Sequence, residues 1–212
     1  PTTRIISSAY DASSLTYQVA RAFGWGPLNN LGYYQFPSPI SGLNLFWSLL
    51  LGKSLFLFPE AQERLVRKSM ALLDIQKNDK VLDIACGRGK SSFIIASLHP
   101  YPHVTGIDLL PENIHVASTL YGAHNLEFTI GDAMNLEFPD NSFDTVTCLS
   151  VLFSIDNREL AYKELARVSK QRIIISDIIK KLKPIDKLSD FDYIKKIPVF
   201  EKFLLIHKEY LP

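Results

Sequence analysis

From Lys80 onward the sequence predicts an α/β protein, a doubly wound, mostly parallel sheet, preceded by a helical N-terminal cap. Three observations predict it. Short apolar runs alternate with helical segments, which is the order of a sheet whose strands are joined by crossover helices. The runs are continuously apolar rather than alternating, the mark of strands covered on both faces. The first run ends in a turn with glycines at Gly87 and Gly89, where backbone must bend sharply at the end of a strand.

The elements follow in order. Residues 14–23 have helical character, with Leu15, Val19 and Phe23 four apart on one face. A Gly/Pro/Asn-rich break occupies 24–39. Pro59 suits the first turn of a helix, and 61–75 continues with Leu65, Met70, Leu72 and Leu73 against a charged remainder. Strands are predicted at 80–85, 103–108, 126–131, 145–149 and 172–176, and helices at 90–98, 111–121 and 158–169. The chain thus divides into a cap and substrate-side segment, 1–75, and a sheet-bearing core, 76–212, within one structural domain.

Composition narrows the partners. With 23 basic residues against 22 acidic, the formal charge of +1 provides no field for a polyanion, and no nucleic-acid partner is expected. Two cysteines, Cys86 and Cys148, imply no disulfide framework and favour a reducing, cytoplasmic compartment. No charged start followed by an apolar run opens the chain. The most apolar stretch, 43–58, runs LNLFWSLLLGKSLFLF between Leu43 and Phe58 and is too short and interrupted to span a bilayer. It reads either as a buried helix or as a surface-lying one that touches a membrane peripherally. The oligomeric state has no signature, and no metal-ligand spacing is present, so no metal is expected.

In a doubly wound sheet, ligands gather at the carboxyl ends of the strands near the point where strand order reverses. That directs attention to Ala85–Gly89, Asp108, Asp132, 149–154 and Asp177. A dinucleotide fingerprint would place a third glycine where Ser92 stands. Asp83, inside the first strand, would repel a pyrophosphate but suits a ligand bearing an ammonium and a sulfonium group. Asp108 reads either as an acceptor for ribose hydroxyls or as a cap for the next helix. Asp132, after Gly131 and beside the small Ala133, reads either as an acceptor for an adenine amino group or as a turn aspartate.

With these residues on the page, VLDIACGRG, TGIDLLPENI and IGDAMNLEFPDNSFDTVTCLSVLFSI resemble successive motifs of the class I, Rossmann-like methyltransferases that use S-adenosylmethionine. The nearest branch is the small-molecule one, with its quinone, tocopherol and natural-product methyltransferases. The resemblance covers about 61–179, and DAMNLEFPDNSFD is its most specific stretch. It implies that Ala85, Cys86, Gly87 and Gly89 wrap the methionine portion and that Asp108 holds the ribose. It implies also that Leu109, Asn113, Asp132 and Ala133 surround the adenosine, with Leu149 and Ser150 on the floor near the sulfonium. Asn30-Leu31-Gly32-Tyr33-Tyr34 is similar to an N-terminal segment that closes over the cofactor, which makes Tyr33 a candidate contact. S-adenosyl-L-homocysteine would be the product left behind.

The sequence departs from the family at four places. Ala85 replaces the first glycine of the usual turn. Phe153 and Ser154 stand where relatives often carry histidine, and the junction Val168-Ser-Lys-Gln-Arg172 is abrupt. The tail after Ile179 is short for the usual closing antiparallel strand pair, although 200–210 has room for one strand. Asp177 is the candidate catalytic base, and His99, His103, His115 and His124 read as turn or surface residues. Phe36, Phe46, Trp47, Phe56 and Phe58 suggest a hydrophobic acceptor, an isoprenoid, polyketide or lipid-like molecule methylated at oxygen or carbon. The alternatives are a non-catalytic cofactor-binding homologue acting as a regulatory partner, and a protein or nucleic-acid methyltransferase. Leu149-Ser-Val-Leu-Phe153 bears no likeness to the Asn/Asp-Pro-Pro-Tyr/Phe of enzymes that methylate base amino groups.

Overall fold

The computed structural model describes residue 18 and residues 54–73, 75–176 and 203–206. Most of the segment 1–75 and its candidate Tyr33 lie outside the described residues, as does Asp177.

The described chain runs α1 (Ser54–Met70), β1 (Lys80–Ile84), α2 (Lys90–Ala96), β2 (His103–Asp108), α3 (Pro111–Leu120), β3 (Leu126–Ile130), β4 (Phe143–Leu149), a 3-10 turn (Leu152–Ser154), α4 (Arg158–Val168), β5 (Ser169–Ser176) and β6 (Phe203–Ile206). The six strands lie in the order β3-β2-β1-β4-β5-β6, and every pairing is parallel. Strand order therefore reverses between β1 and β4, and the doubly wound reading holds. The one strand for which 200–210 has room is β6, and it pairs with β5 in parallel rather than as part of an antiparallel pair.

Alternation along β1 sorts the two faces. Val81 packs with Val66 and Met70 of α1, Ile94 and Ile95 of α2, and Val104. Leu82 and Ile84 point the other way, into Ile107, Val146, Ile173 and the Ala161, Leu165 and Val168 stripe of α4. Four successive buried positions in β1 are what a strand covered on both faces requires. Helix α1 shows the matching helical period, burying Gln62, Leu65, Val66, Ser69 and Met70.

Three details differ from the sequence reading. Helix α1 begins at Ser54, so Pro59 is its sixth residue rather than a first-turn one, and the missing N–H forfeits one backbone bond. The helix stops at Met70, after which 71–73 turn back on Arg67, Ser69 and Met70 carbonyls, while Leu73 and Ile75 still pack on the core. Across the abrupt junction after Val168, β5 starts at once with Ser169 opposite Phe143, earlier than the predicted 172, and the pairing shifts register between Phe143 and Thr145.

Candidate active site

The candidate residues gather where the rule for parallel sheets puts a ligand, at the carboxyl ends of β1, β2, β3 and β4. Their hub is Asp108, the last residue of β2, which is 8% exposed. Oδ2 accepts the N–H of Gly87 at 2.9 Å. Oδ1 accepts the Leu110 N–H and the Asn113 Nδ2, each at 3.0 Å. Its carbonyl accepts the Gly131 N–H at 3.0 Å. One residue thus ties the glycine turn, the start of α3 and the end of β3 together. The cap reading of Asp108 is met by this arrangement. It serves the entry into α3, yet with three bonds accepted and about four lone-pair sites on an ionised carboxylate, room remains for a hydroxyl donor.

The turn after β1 is built on left-handed backbone. Ala85 has φ of 53°, Gly87 56° and Gly89 86°. The usual glycine at position 85 is explained by this geometry, and Ala85 carries the corresponding strain. The turn is fixed by the Cys86 N–H on the Ile107 carbonyl at 2.8 Å and the Gly89 N–H on the Cys86 carbonyl at 3.1 Å. Across the switch point Ser150, after β4, is also left-handed at φ 61°, and its N–H donates to the Ser176 carbonyl of β5. Two strained non-glycine residues therefore flank the cleft on adjacent strands, a common mark of functional sites.

Asp83 lies beneath the turn, 1% exposed. Oδ2 accepts the hydroxyls of Ser91 at 2.6 Å and Ser92 at 2.7 Å, and Oδ1 accepts that of Thr147 at 2.8 Å. Burial pushes this carboxyl above the usual carboxylate range, against the opposing pull of the three hydroxyls. Ser92, which breaks the dinucleotide fingerprint, is there to serve Asp83. Two serines at the start of α2, eight and nine residues beyond the in-strand acid, are the sequence feature that marks this knot.

The other candidates take these places. Leu109 is 47% exposed beside Asp108, whereas Asn113 is buried with its amide committed to that carboxylate. Asp132 accepts the Met134 N–H at 2.8 Å, which is the turn role, and Ala133 packs against the α4-side core. Leu149 packs on the α1–α2 side, and Ser150 is buried. Cys86 is buried, and its thiol is pushed up by burial first and then by the charges of Asp83 and Asp108. Cys148, at the core of β4, is fully buried.

The histidines do not meet here. His103 and His124 line a cavity of about 410 Å³ with Lys80, Glu127, Phe138 and Phe143, at the opposite, strand-start end of the sheet. Where relatives carry histidine, the Ser154 hydroxyl donates to the Val151 carbonyl at 2.6 Å.

The FPDNSFD stretch also proves to be distant from the cleft. Arg167 of α4 donates to the carbonyls of Leu136 and Phe138 at 2.8 and 2.7 Å and to Asp140 at 2.9 Å. Asp144 accepts the Lys80 N–H at 2.9 Å and the Lys170 ammonium at 3.2 Å. Residues 138–144 therefore pin the β3–β4 connection and the starts of β1 and β5.

Residues 82–175 match the family model for a methyltransferase domain. The O-methyltransferase resE of Aspergillus sclerotiorum is 30% identical over 185 residues, covering 84% of this chain and 62% of that protein. A demethylmenaquinone methyltransferase of Listeria monocytogenes serotype 4a is 37% identical over 108 residues, 49% of this chain and 46% of the relative. The chain thus spans about half to three-fifths of the length of these curated relatives. Among solved structures, the [4+2]-cyclase SpnF superposes with a TM-score of 0.62 at 23% identity, covering 81% of this chain and 58% of that one, and at that identity it speaks for the fold alone. With the reversing parallel sheet, the glycine turn after β1 and the acid closing β2 in place, residues 82–175 form a methyltransferase domain with the class I, Rossmann-like fold, similar to S-adenosylmethionine-dependent enzymes.

Proposed function

We propose that this chain catalyses methyl transfer from S-adenosylmethionine to a small, hydrophobic acceptor, at oxygen or carbon. The observation that carries the reading is the Asp108 hub. It sets a carboxylate with spare acceptor capacity against the glycine turn, where a ribose would be held. The donor set also fits the charge of the cofactor. Asp83 and Asp108 flank the turn, and their hydrogen-bond partners among the described residues are neutral hydroxyls, an amide and backbone N–H groups. That is a poor setting for a pyrophosphate and a good one for a cation.

S-adenosylmethionine, when bound, supplies an electrophilic methyl group on a sulfonium sulfur. The chain's part is to hold that ligand and present the acceptor in line behind the methyl. Positioning of this kind can lower a barrier by about 7–11 kcal/mol. Asp108 and Asn113 orient the ribose side, and the strained turn at Ala85 holds the backbone close to the methionine side. A base for an oxygen acceptor would come from Asp177, which follows the last residue of β5. Two features support a hydrophobic small molecule as acceptor. The relatives include an O-methyltransferase and demethylmenaquinone methyltransferases. The segments that would face the acceptor are rich in apolar and aromatic residues, Phe36, Phe46 and Trp47 among them.

The test is transfer of a labelled methyl group from S-adenosylmethionine to a panel of phenolic polyketides and prenylated hydroquinones. Label appearing in one acceptor class with release of S-adenosylhomocysteine supports the reading. Cofactor binding without transfer to any acceptor, including those of a total lipid extract, would point to the non-catalytic homologue.

A further inference from the structure

We propose that Phe128 is a positioning residue for the cofactor: its ring is the wedge that sets where the Gly89 end of the turn stands over the sheet. The inference rests on the methyl-transfer reading above and deepens it.

β3 lies at the edge of the described sheet, and Glu127, Thr129 and Ile130 are exposed along it. Phe128 is half-buried, and its ring runs inward across β2. Two glycines record its path. Gly106 is its register partner in β2, and a Cβ there would come within 2.8 Å of Phe128 Cδ1. Gly89 lies further on, in the turn after β1, and a Cβ there would come within 2.7 Å of Phe128 Cζ. The near end of the ring thus lies on Gly106 and its tip against Gly89.

Gly106 makes this closeness informative. A glycine inside a strand costs about 0.5–1 kcal/mol relative to alanine, and it commonly marks a close approach by another group. Gly87 and Gly89 have left-handed backbone whereas Gly106 does not, so glycine at 106 answers to space alone. Two groups claim that space, the Ser92 hydroxyl of α2 and the Phe128 ring.

Gly89 is where the wedge acts. It is the N-cap of α2, its N–H donates to the Cys86 carbonyl at 3.1 Å, and its carbonyl accepts the Phe93 N–H at 2.9 Å. The Ala117 Cβ of α3 closes on the same point as the ring, also at 2.7 Å from a Cβ at Gly89. The end of the turn is therefore seated on β3 and α3 together. β3 runs on into Gly131 and Asp132, and α3 carries Asn113 in its first turn. The Gly87–Asp108 bond is one tie between the methionine side and the adenosine side of the site. The Phe128 ring is a second, made by shape rather than by a hydrogen bond.

Titration of S-adenosylhomocysteine into wild type, Phe128→Leu and Phe128→Met, with residue-resolved amide hydrogen exchange on the same proteins, tests this. Leucine ends level with Cδ, so it still covers Gly106 and no longer reaches Gly89. Methionine, long and unbranched, keeps the reach. Misplacing a holding group by about 1 Å can cost on the order of a hundredfold in rate. The smaller shift here should weaken binding to Phe128→Leu about five- to twentyfold, with Phe128→Met within about threefold of wild type. In Phe128→Leu the Cys86 and Gly89 amides should speed up by a larger factor than those of Val146 and Ile174, which are buried in β4 and β5. Wild-type affinity in folded Phe128→Leu, or a methionine variant as weak as the leucine one, would overturn the proposal and leave the ring as a cover for Gly106. Equal factors at the turn and in β4 and β5 would overturn it too. Should Phe128→Leu fail to fold, Phe128→Tyr keeps the ring and sets a hydroxyl on Cζ, the atom that faces Gly89. It is expected to lose the same five- to twentyfold, roughly, and wild-type affinity there would overturn the proposal. If the wild-type chain does not bind S-adenosylhomocysteine, it is the methyl-transfer reading that fails, and the exchange factors alone decide the place of the wedge.

Discussion

The Gly87 N–H and the Asp108 carboxylate meet at 2.9 Å, joining the turn after β1 to the end of β2. This bond makes the glycine turn and the acid one object: the carboxylate that would hold a ribose also fixes the backbone that would wrap the methionine side. Displacing either residue displaces both halves of the cleft. The strain at Ala85 and Ser150 is held in place by the same framework of bonds, through Ile107 and Ser176 respectively.

Ala85 is the place where this chain departs from the family's glycine, and its φ of 53° gives the departure a cost. Left-handed backbone costs an L-residue about 1–2 kcal/mol, offset in an alanine-to-glycine change by about 0.4–1 kcal/mol of added unfolded-state freedom. Ala85→Gly is therefore expected to be neutral or stabilising by up to about 1 kcal/mol, whereas the β-branched Ala85→Val loses about 2 kcal/mol or more. Urea denaturation of the three proteins checks this. A markedly destabilised Ala85→Gly would mean that the methyl packs more than the backbone strains.

Gly89 is needed for a different reason. A Cβ there would come within 2.7 Å of both the Ala117 Cβ and the Phe128 ring, on a backbone with φ of 86°. Gly89→Ala is expected to cost about 2–4 kcal/mol from overpacking and left-handed strain together. Ala117→Gly in the same chain relieves part of the clash and none of the backbone strain, so thermal unfolding should show partial rescue only.

Thr145 is buried in β4 with a hydroxyl that finds no hydrogen-bond partner among the described residues. Replacing an orphaned buried hydroxyl by a methyl of the same shape removes a desolvation penalty of about 1–3 kcal/mol. Thr145→Val should raise the denaturation midpoint by the equivalent of about 1 kcal/mol. A fall would show that the hydroxyl is satisfied in solution, for example by a water.

The Glu164–Arg167 pair supplies the pH dependence. Glu164 takes Arg167 Nε at 2.8 Å and Nη2 at 2.7 Å, and also the Leu136 N–H at 2.8 Å. The Arg167 guanidinium, against the opposing effect of burial, holds the Glu164 carboxyl below its ordinary value of 4.5. A lowered folded-state value means stability that is fully present above the unfolded value and lost as pH falls through the folded one. Wild-type stability should therefore drop below about pH 4.5 by an increment that Glu164→Gln lacks. Denaturant midpoints from pH 7 to pH 3 read the difference, and parallel curves would show that the pair adds nothing.

Much of the fold was legible because its signals are local. Continuous apolar runs announced β1, β2 and β4, and the Gly87–Gly89 spacing located the turn. Asp108 was found from its place at the end of an apolar run, which is a sequence property. What the residues at the cleft do to each other was not legible, because it depends on contacts across the sheet. Asn113 looked like a ligand contact and spends its amide on Asp108, five residues earlier, a bond that no periodicity reveals. Asp83 gave its charge away in the sequence, but its enclosure depends on Thr147, 64 residues on. The part played by the FPDNSFD stretch was hidden for the same reason. Arg167 needs carbonyls and acids at fixed places to hold the β3–β4 connection, and it lies 27 or more residues beyond them.

The central claim, that Asp108 organises an S-adenosylmethionine site, is tested most directly by titrating S-adenosylmethionine into the wild-type chain and into Asp108→Ala. Removing the carboxylate strands the Gly87 and Leu110 N–H groups as well as the ribose acceptor, and a charge-assisted hydrogen bond contributes about 1.5–3 kcal/mol. Affinity should fall at least about tenfold in a variant that far-UV circular dichroism shows to be folded. Unchanged affinity in folded Asp108→Ala would contradict the assignment of the site.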